Sequence, residues 1–405
     1  MWISKLIYRI FIGLYHGIIA LASPFNEKAR LFVQGRSTQT IKPFTEKTLW
    51  FHCASLGEFE QARPLIEWCY KELDYPIVLT FFSPSGYEYK ANFPLAKAVY
   101  YLPKDTPRNA FNTVKAINPQ AAFFIKYEFW FYHLSELRKQ NIAHFLVAGL
   151  FRKSQLFFKS YGILHQKMLK GFSHCFVQDD TSLQLLREHN FINSSLAKDT
   201  RFDAVIKRSE TAFSDEIIVE FINGQKALIV GSSWPKDETI VAEFTKHFKD
   251  LKIIIAPHDV NESRIKQLLK TFPKAVLYSN GIDKRAAQVL IIDRIGILSL
   301  LYRYGDICYI GGGFDKSVHN VLEAGVYGKP LLYGPNHAKS KEAKDLIALN
   351  VALELSSKSE NHKSLVMLMN KDFAKEAGQI AAQYVKKRAG GTETIIRYLL
   401  EKRFI

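Results

Sequence analysis

Short apolar runs alternate with segments of helical length along this chain of 405 residues, and the alternation starts a second time after the midpoint. Most runs are continuously apolar, which is typical of parallel strands buried on both faces. The runs of the first half are 49–53, 77–82, 99–102, 122–125, 144–147 and 175–178, and those of the second half are 227–230, 253–256, 276–278, 289–292, 307–310 and 331–333. The pattern predicts two α/β domains, each with a doubly wound parallel sheet.

A polar stretch, KRSETAFS at 207–214, separates the two halves and has the composition of a linker. The predicted division is an N-terminal segment at 1–24, a first domain at 25–206, a second domain at 215–385 and a terminal helix at 386–405 that can pack back on the first domain. Open α/β sheets bind ligands beyond the carboxyl ends of their strands. Two such Rossmann-like domains facing a cleft would bring two ligands together, which suits group transfer.

The N-terminal segment, MWISKLIYRIFIGLYHGIIALAS, is largely apolar and carries Lys5 and Arg9 near its start. Three interpretations remain open from these residues alone. The apolar run is short for a transmembrane helix, which needs about 20 residues. The basic start, apolar centre and final Ala-Leu-Ala resemble a signal peptide. The aromatic residues, with Lys28 and Arg30 close behind, suit an anchor that lies on an anionic membrane surface.

Lysine and arginine number 55 against 39 aspartates and glutamates, which gives a net charge of +16. Such a surplus favours anionic partners, namely nucleic acid, phosphorylated ligands or an acidic lipid surface, although net charge identifies none of them. The four cysteines form no CxxC pair and no cluster of the zinc-binding kind, so no metal site is predicted. No GxGxxG follows the first strand and no GxxxxGK motif occurs, which disfavours NAD-type and P-loop proteins.

Two acidic residues follow predicted strands of the first domain. Glu58 comes after the strand 49–53 and would open the next helix. There it can interact with the helix dipole, or it can act as a general base that takes a proton from an acceptor hydroxyl. Glu128 follows the strand 122–125 between aromatic residues. It can contact a sugar or orient a basic residue, and a purely structural ion pair is the alternative.

Small residues follow the predicted strands of the second domain. Ser232 and Ser233 come after the first of them, and Gly312 and Gly313 lie in a triple-glycine segment after a later one. Backbone amides at such positions can approach a phosphate, although strand–Gly–Ser turns are common. These residues are therefore candidate phosphate contacts.

Polar side chains also occur around the second sheet. His258 ends another strand and can contact a phosphate or a base, although surface histidines are usually passive. Asn320 and Glu323 lie one helical turn apart in the segment after the glycines, so they would share a face. A carboxylate there suits the two hydroxyls of a nucleotide ribose.

The set and order of these motifs resemble bacterial 3-deoxy-D-manno-octulosonic acid (Kdo) transferases, which have the two-domain GT-B fold. The matching segments are ASLGE at 54–58 for the family's VSVGE, YEFW at 127–130 for TELWP, DTRFD at 199–203 for GSLKFD, APHD at 256–259 for PRHPERF and VHNVLE at 318–323 for GGHNPLE. The HNVLE segment followed by GKPLLYGP also resembles the donor-binding region of nucleotide-sugar transferases more generally. The order and spacing hold from roughly residue 48 to residue 345.

The resemblance implies transfer of Kdo from CMP-Kdo to a lipid IVA-type precursor of lipid A, with inversion at the anomeric carbon and without metal or other cofactor. It implies Glu58 as the catalytic base, with Glu128 and Arg201 as further catalytic residues. The CMP-binding positions that it carries over are Pro257, His258, Ile295, Gly296, Ile297, Asn320, Val321, Leu322 and Glu323.

The chain departs from the family's motifs at several positions. Lys126 replaces an acid of METELW, Ser317 and Val318 replace the glycines of GGHN, and the arginine of PRHP is missing before His258. Arg201 stands where the family has a lysine. These departures indicate a divergent branch with an altered acceptor.

A cytosolic CMP-sugar donor argues against export, so the resemblance favours an N-terminal anchor at the cytoplasmic face of the inner membrane. One alternative is another GT-B transferase or a nucleotide-sugar epimerase, and an epimerase would not be expected to share Glu58, Glu128 and Arg201. The other alternative is a non-enzymatic basic protein that binds a membrane or nucleic acid. No recognition-helix, RRM-like or zinc motif occurs, so no nucleic-acid partner is predicted.

Overall fold

The computed structural model describes residues 2–280, 286–356 and 361–405. The chain forms two compact units, of which unit 1 comprises Met1–Ala204 and Ala389–Ile405 and unit 2 comprises Val205–Arg388. The last residues of the chain thus belong to the same unit as the first.

Unit 1 is built on a seven-stranded, wholly parallel sheet. Its strands are β1 (Thr48–Cys53), β2 (Ile77–Phe81), β3 (Ala98–Tyr101), β4 (Pro119–Ile125), β5 (Ala143–Gly149), β6 (His174–Val177) and β7 (Ser194–Leu196), in the spatial order β3-β2-β1-β4-β5-β6-β7. The order reverses direction between β1 and β4, which is where open α/β sheets place their ligands.

The helices of unit 1 connect these strands. They are α1 (Trp2–Ala22), α2 (Glu27–Thr38), α3 (Leu56–Glu72), α4 (Pro84–Lys90), α5 (Pro107–Ile117), α6 (Phe131–Lys139), α7 (Ile163–Gly171), α8 (Asp180–Glu188) and α9 (Arg201–Glu210), which runs on into unit 2. Local chemistry sets several boundaries. The Thr106 hydroxyl accepts from the Asn109 amide at the start of α5, and Asn118 ends that helix at a φ of 49°.

Unit 2 repeats the architecture. Its strands are β8 (Ala227–Ser233), β9 (Lys252–Pro257), β10 (Val276–Leu277), β11 (Val289–Ile291), β12 (Ile307–Ile310), β13 (Leu331–Tyr333) and β14 (Ala352–Glu354), in the order β10-β11-β9-β8-β12-β13-β14 and all parallel. Its helices are α10 (Glu216–Ile222), α11 (Pro235–His247), α12 (Glu262–Thr271), α13 (Leu298–Leu301), α14 (Leu322–Gly325), α15 (Lys341–Ala348), α16 (Asn361–Met369) and α17 (Lys371–Arg388). The reversal lies between β8 and β12.

The last helix, α18 (Gly391–Glu401), closes one face of unit 1. Its Ile395 and Leu399 are fully buried in the core between that face and α3. The Asp203 carboxylate fixes the start of the helix, because it accepts hydrogen bonds from the Gly390 amide (2.6 Å) and from the amide and hydroxyl of Thr392 (2.7 Å each).

The prediction of two doubly wound parallel α/β domains is confirmed. Two short strands, β7 and β14, were not predicted, because each has three residues and carries polar or partly exposed positions. In the segment proposed as a linker, residues 207–210 form the end of α9. The four cysteines are buried and unpaired.

Helix α1 leaves most of its apolar side chains exposed, with Ile12 as its buried residue. Trp2, Ile3, Ile7, Phe11, Leu14, Ile18 and Leu21 each expose more than 60% of their surface. By length and composition the helix can cross a membrane, with a mean hydropathy of 1.4, although an N-terminal signal sequence meets the same criteria.

Candidate active site

Glu58 lies at the carboxyl end of β1, in the first turn of α3. Ser55 occupies the N-cap position, three residues earlier, and its hydroxyl donates a hydrogen bond to the Glu58 carboxylate. This Ser-x-x-Glu spacing is typical of a helix start, and the helix dipole favours the negative charge there. The carboxylate is half-buried, so it is both oriented by Ser55 and open to a substrate.

Glu128 follows β4 and is held by a buried hydrogen-bond network. His52 Nε2, on the adjacent strand β1, donates to the Glu128 carboxylate at 2.8 Å, and the Trp130 indole donates to the same oxygen at 2.8 Å. The other His52 nitrogen contacts the Thr80 hydroxyl at 2.9 Å, and that hydroxyl accepts from Trp50 at 2.8 Å. Glu128 thus contacts a basic side chain, His52, which suits both the predicted orienting role and the structural-pair alternative.

Cys53 is the last residue of β1, and its side chain is fully buried. Burial raises the pKa of its thiol well above the usual range, and the negative charges of Glu58 and Glu128 raise it further. The thiol therefore stays protonated and is a poor nucleophile.

Arg201, the first residue of α9, is fixed by a carboxylate that the sequence did not single out. Its guanidinium donates to one Asp199 oxygen at 2.8 and 2.6 Å, and its own amide donates to the other at 3.0 Å. Gln61 lies one turn after Glu58 on α3, and its side chain reaches Asp199 at 3.4 Å. The Arg201 side chain remains 30% exposed, so its charge is oriented but still accessible.

In unit 2 the glycine-rich loop after β12 is packed against neighbouring loops. A Cβ on Gly311 would collide with the Ser232 carbonyl group, and one on Gly313 would lie 2.5 Å from the Gly334 amide nitrogen. Gly312 has a φ of 87°, which side-chain-bearing residues rarely adopt. The glycines thus allow three loops of this unit to approach each other closely, which the sequence argument had assigned to an approaching ligand.

Asp237 holds these loops together. It is fully buried in α11, and its carboxylate accepts from the Trp234 amide (2.9 Å), the Gly312 amide (2.9 Å) and the Tyr309 hydroxyl (2.8 Å). Burial raises the pKa of this carboxyl, and the hydrogen bonds from Gly312 and Trp234 oppose the increase. The Gly312 amide, predicted as a phosphate contact, is therefore already engaged within the protein.

The two serines after β8 differ in their surroundings. The Ser233 hydroxyl donates to buried Glu238 at 2.7 Å, and Glu238 also pairs with Arg264. Ser232 adopts a φ of 53° and is half-buried. The hydroxyl of Ser233 is thus part of the internal structure of the unit.

Three rings stack at the ends of β8, β9 and the glycine loop. The His258 ring stacks on both Trp234 (4.6 Å between centroids) and His319 (4.7 Å), with interplanar angles of 25° and 20°. The Trp234 indole donates to His319 Nε2 at 3.0 Å, which requires that nitrogen to be unprotonated. Burial and the nearby His258 lower the pKa of His319 to about 4, so its ring is neutral near pH 7.

Replacing His319 with glutamine is expected to reduce the loss of stability in acid. The unfolded chain protonates this histidine near pH 6.5 and the folded chain only near pH 4, so the stability present above about pH 6.5 is lost as the pH falls toward 4. For a partly exposed ring we expect about 1–2 kcal/mol. The glutamine side chain keeps an acceptor for Trp234 but does not titrate. Urea unfolding at about pH 7 and about pH 4.5 measures the free energy of unfolding of each variant, and His247→Gln is the exposed control. If His319→Gln and His247→Gln lost the same free energy of unfolding between the two pH values, the assignment would be contradicted.

The remaining residues predicted to bind CMP lie in unit 2, at the end of β9, after β11 and at the start of α14. Asn320 precedes α14, and its side chain accepts from the Leu322 amide at 3.2 Å and donates to Glu323 at 3.0 Å. Val321 and Leu322 are buried. Pro257 ends β9, and the segment Ile295, Gly296 and Ile297 follows β11, with Ile295 66% exposed and Gly296 at a φ of 98°.

No group of three or more His, Cys, Asp and Glu side chains that could hold a metal occurs among the residues that the structure describes. Sequence reasoning missed His52, Asp199 and Asp237, which orient the predicted residues. A polar residue within an apolar strand was the available signal for His52. The spacing of three between Trp234 and Asp237 at a helix start was the signal for Asp237.

Two doubly wound parallel sheets in one chain, with carboxylates at the strand ends of the first and glycine-rich loops in the second, define the GT-B-like class of fold. Residues 26–204 match the family model described as 3-deoxy-D-manno-octulosonic-acid transferase (kdotransferase). Together with the curated relatives, this match indicates a glycosyltransferase and favours the transferase over the epimerase alternative.

Curated relatives support the assignment. The 3-deoxy-D-manno-octulosonic acid transferase of Chlamydia trachomatis serovar D is 28% identical over 323 residues, covering 73% of this chain and 72% of that protein. The one of Rickettsia bellii is 26% identical over 345 residues, with 81% of both chains covered. A bifunctional glycosyltransferase/methyltransferase of Fusobacterium nucleatum is 22% identical, and the match spans 91% of this chain but only 61% of that longer relative.

Solved structures show the same fold. UDP-GlcNAc 2-epimerase from Neisseria meningitidis has a TM-score of 0.60 at 14% identity, covering 88% of this chain and 100% of that one. A glycosyltransferase from Rickettsia africae has a TM-score of 0.56 at 14% identity, covering 88% and 98%. At such identities the likeness describes the fold alone, since one fold hosts many functions.

Proposed function

We propose that this protein transfers Kdo from CMP-Kdo to a hydroxyl of a lipid IVA-type precursor of lipid A, with inversion at the anomeric carbon. The match of residues 26–204 to the Kdo transferase family model supports the sugar and the reaction class. The observation that carries the mechanism is the half-buried Glu58 carboxylate at the start of α3, oriented by Ser55. A base in this position can take a proton from an acceptor hydroxyl.

The reaction is a single displacement. Glu58 accepts the proton of the acceptor hydroxyl, and the resulting oxygen forms the new bond to the anomeric carbon. The bond from that carbon to the CMP phosphate breaks, and its electron pair leaves with CMP. Positive charge near the leaving phosphate stabilises the developing negative charge, and the oriented guanidinium of Arg201 is our candidate on unit 1.

On unit 2, the donor is proposed to bind the loops after β9, β11 and β12. The stacked rings of Trp234, His258 and His319 form a rigid edge there, and Asn320 and Glu323 are fixed by their mutual hydrogen bond. Glu323 suits the ribose hydroxyls of CMP. The reaction is proposed to need no metal, since phosphate departure is assisted by protein cations and helix N-termini.

The site of action is proposed to be the cytoplasmic face of the inner membrane. The exposed apolar side chains of α1 supply an anchor, and the net charge of +16 favours an anionic leaflet. The donor is made in the cytosol, which is consistent with that side of the membrane.

The test is direct. Purified protein is incubated with lipid IVA and CMP-Kdo generated in situ, with and without EDTA, and the lipid is analysed by mass spectrometry. We expect a mass gain of one or more Kdo units in both samples. A folded protein that binds CMP but gives no gain would refute the acceptor or the sugar, and one that does not bind CMP would refute the donor as well.

A further inference from the structure

A cavity of about 550 Å³ lies within unit 1, between the N-terminal helices and α5, apart from the proposed catalytic carboxylates. Its wall includes Arg36 of α2, Lys104 from the loop before α5, and Asn109 and Asn112 of α5. His16 and Ala20 of α1 complete it on the side of the apolar helix. The residues that line this cavity include no aspartate or glutamate.

Arg36 gives the cavity a fixed positive charge. Its guanidinium donates to the carbonyls of Leu102 (3.0 Å), Phe32 (3.2 Å) and Phe82 (2.5 Å), and it stacks on the Phe32 ring. Burial lowers the pKa of Arg36 to about 10, which leaves it charged at neutral pH. Within the described part of the chain it pairs with no carboxylate, and three hydrogen bonds use only part of its five N–H donors.

Lys104 adds a second positive charge. It is half-buried, and across the described residues its ammonium group has no ion-pair partner. The neighbouring Asp105 does not neutralise it, because that carboxylate accepts from Tyr8, from His133 Nδ1 and from two backbone amides. Burial, Arg36 and Lys104 together lower the pKa of His16 to about 4, so both charges act at the same wall of the cavity.

Two half-buried cations without a carboxylate partner carry an unfavourable desolvation free energy, which a bound anion would offset. The amide side chains of Asn109 and Asn112 supply further hydrogen-bonding groups, while Phe32, Val33 and Ile41 make part of the wall apolar. The exposed apolar face of α1 continues outward from His16 and Ala20. The cavity therefore combines positive charges that suit a phosphate group with an opening toward the apolar side chains of α1.

We propose that this cavity is a discrete binding site for a lipid-borne phosphate, which contacts Arg36 and Lys104 while the acyl chains leave along α1. The site differs from general attraction to an anionic surface, because it depends on the two cations that line the cavity rather than on the summed charge. The phosphate can come from a bilayer phospholipid or from the lipid acceptor. The second source rests on the proposed function, whereas the binding itself does not.

The binding experiment uses the full chain and water-soluble short-chain lipids, followed by isothermal titration calorimetry. Dihexanoyl phosphatidic acid is the probe, and dihexanoyl phosphatidylcholine and inorganic phosphate are the comparison ligands. We expect the phosphatidic acid to bind more tightly than either. Lys104→Gln should weaken that binding roughly tenfold or more, as loss of a charge-assisted contact does.

The matched control is Lys115→Gln, which removes the same charge from the exposed face of α5 outside the cavity. It should change phosphatidic acid binding by less than about twofold if surface charge is incidental. Asn112→Asp is a second variant, since it places a carboxylate at the wall on an exposed position and should also weaken binding. Equal binding of phosphatidic acid to wild type, Lys104→Gln and Asn112→Asp, or equal losses in Lys104→Gln and Lys115→Gln, would overturn the proposal.

The source of the phosphate is separated by steady-state kinetics in detergent. If the acceptor phosphate occupies the cavity, Lys104→Gln raises KM for the phosphorylated acceptor but not for the dephosphorylated one. If a bilayer phospholipid occupies it, KM for both acceptors stays unchanged while phosphatidic acid binding is weakened. Because calorimetry requires no transfer, a failure of the proposed reaction leaves the binding result interpretable.

Discussion

Glu58→Gln is expected to lower the rate of Kdo transfer by about 10²- to 10⁴-fold, the usual contribution of a general base. The substitution keeps the size of the side chain and an oxygen that can accept from Ser55, so the start of α3 should remain intact. What it removes is the ability to take a proton from the acceptor. Because Glu58 lies in unit 1 and the proposed CMP contacts lie in unit 2, CMP affinity should not change.

Glu60→Gln is the matched control for this experiment. Glu60 lies on the same helix, is partly exposed and pairs with Arg63 and Lys90 at 3.5 and 3.9 Å. Its replacement removes the same charge two residues away and should leave the transfer rate within about twofold. Single-turnover transfer followed by mass spectrometry, with CMP binding by calorimetry, measures both variants. If Glu58→Gln retained a rate close to that of wild type, another group would have to be the base.

Asp237→Ala is expected to destabilise unit 2 by about 3–5 kcal/mol. The change leaves two buried amides, of Trp234 and Gly312, and the Tyr309 hydroxyl without their acceptor. Each such loss costs about 1–3 kcal/mol. Since these donors belong to three neighbouring segments of the site, we also expect weaker CMP binding.

Chemical denaturation measures the stability, and hydrogen exchange followed by mass spectrometry locates the change. Protection should fall at the segments after β8 and β12 and stay constant in unit 1. Glu243→Ala is the control on the same helix, where an exposed pair with Lys246 at 2.6 Å contributes little. A loss of less than about 1 kcal/mol in Asp237→Ala would mean that solvent or another group replaces the carboxylate.

The sequence predicted the sheets better than it predicted the site. Continuous apolar runs are a local signal of buried parallel strands, and the central strands of both sheets lie where those runs occur. The edge strands β7 and β14 carry a weaker signal because they are short and partly exposed. The segment 207–214 was predicted as a linker because it is polar, but its first four residues are the last residues of α9.

Local sequence patterns were enough to predict the two parallel sheets, the position of Glu58 at a helix start and the resemblance to the family. These depend on neighbours within a few residues, through side-chain periodicity and helix capping. The contact of His52 with Glu128, 76 residues away, and the position of the Asp199–Arg201 pair next to α3 became visible only in the folded chain. The tertiary structure also decided that the glycines after β12 serve loop packing, and that Arg36 and Lys104 share one cavity. The physical reason is that these contacts join segments that are distant in sequence. They form only once the strands have taken their order in the sheet, and no local pattern specifies that order.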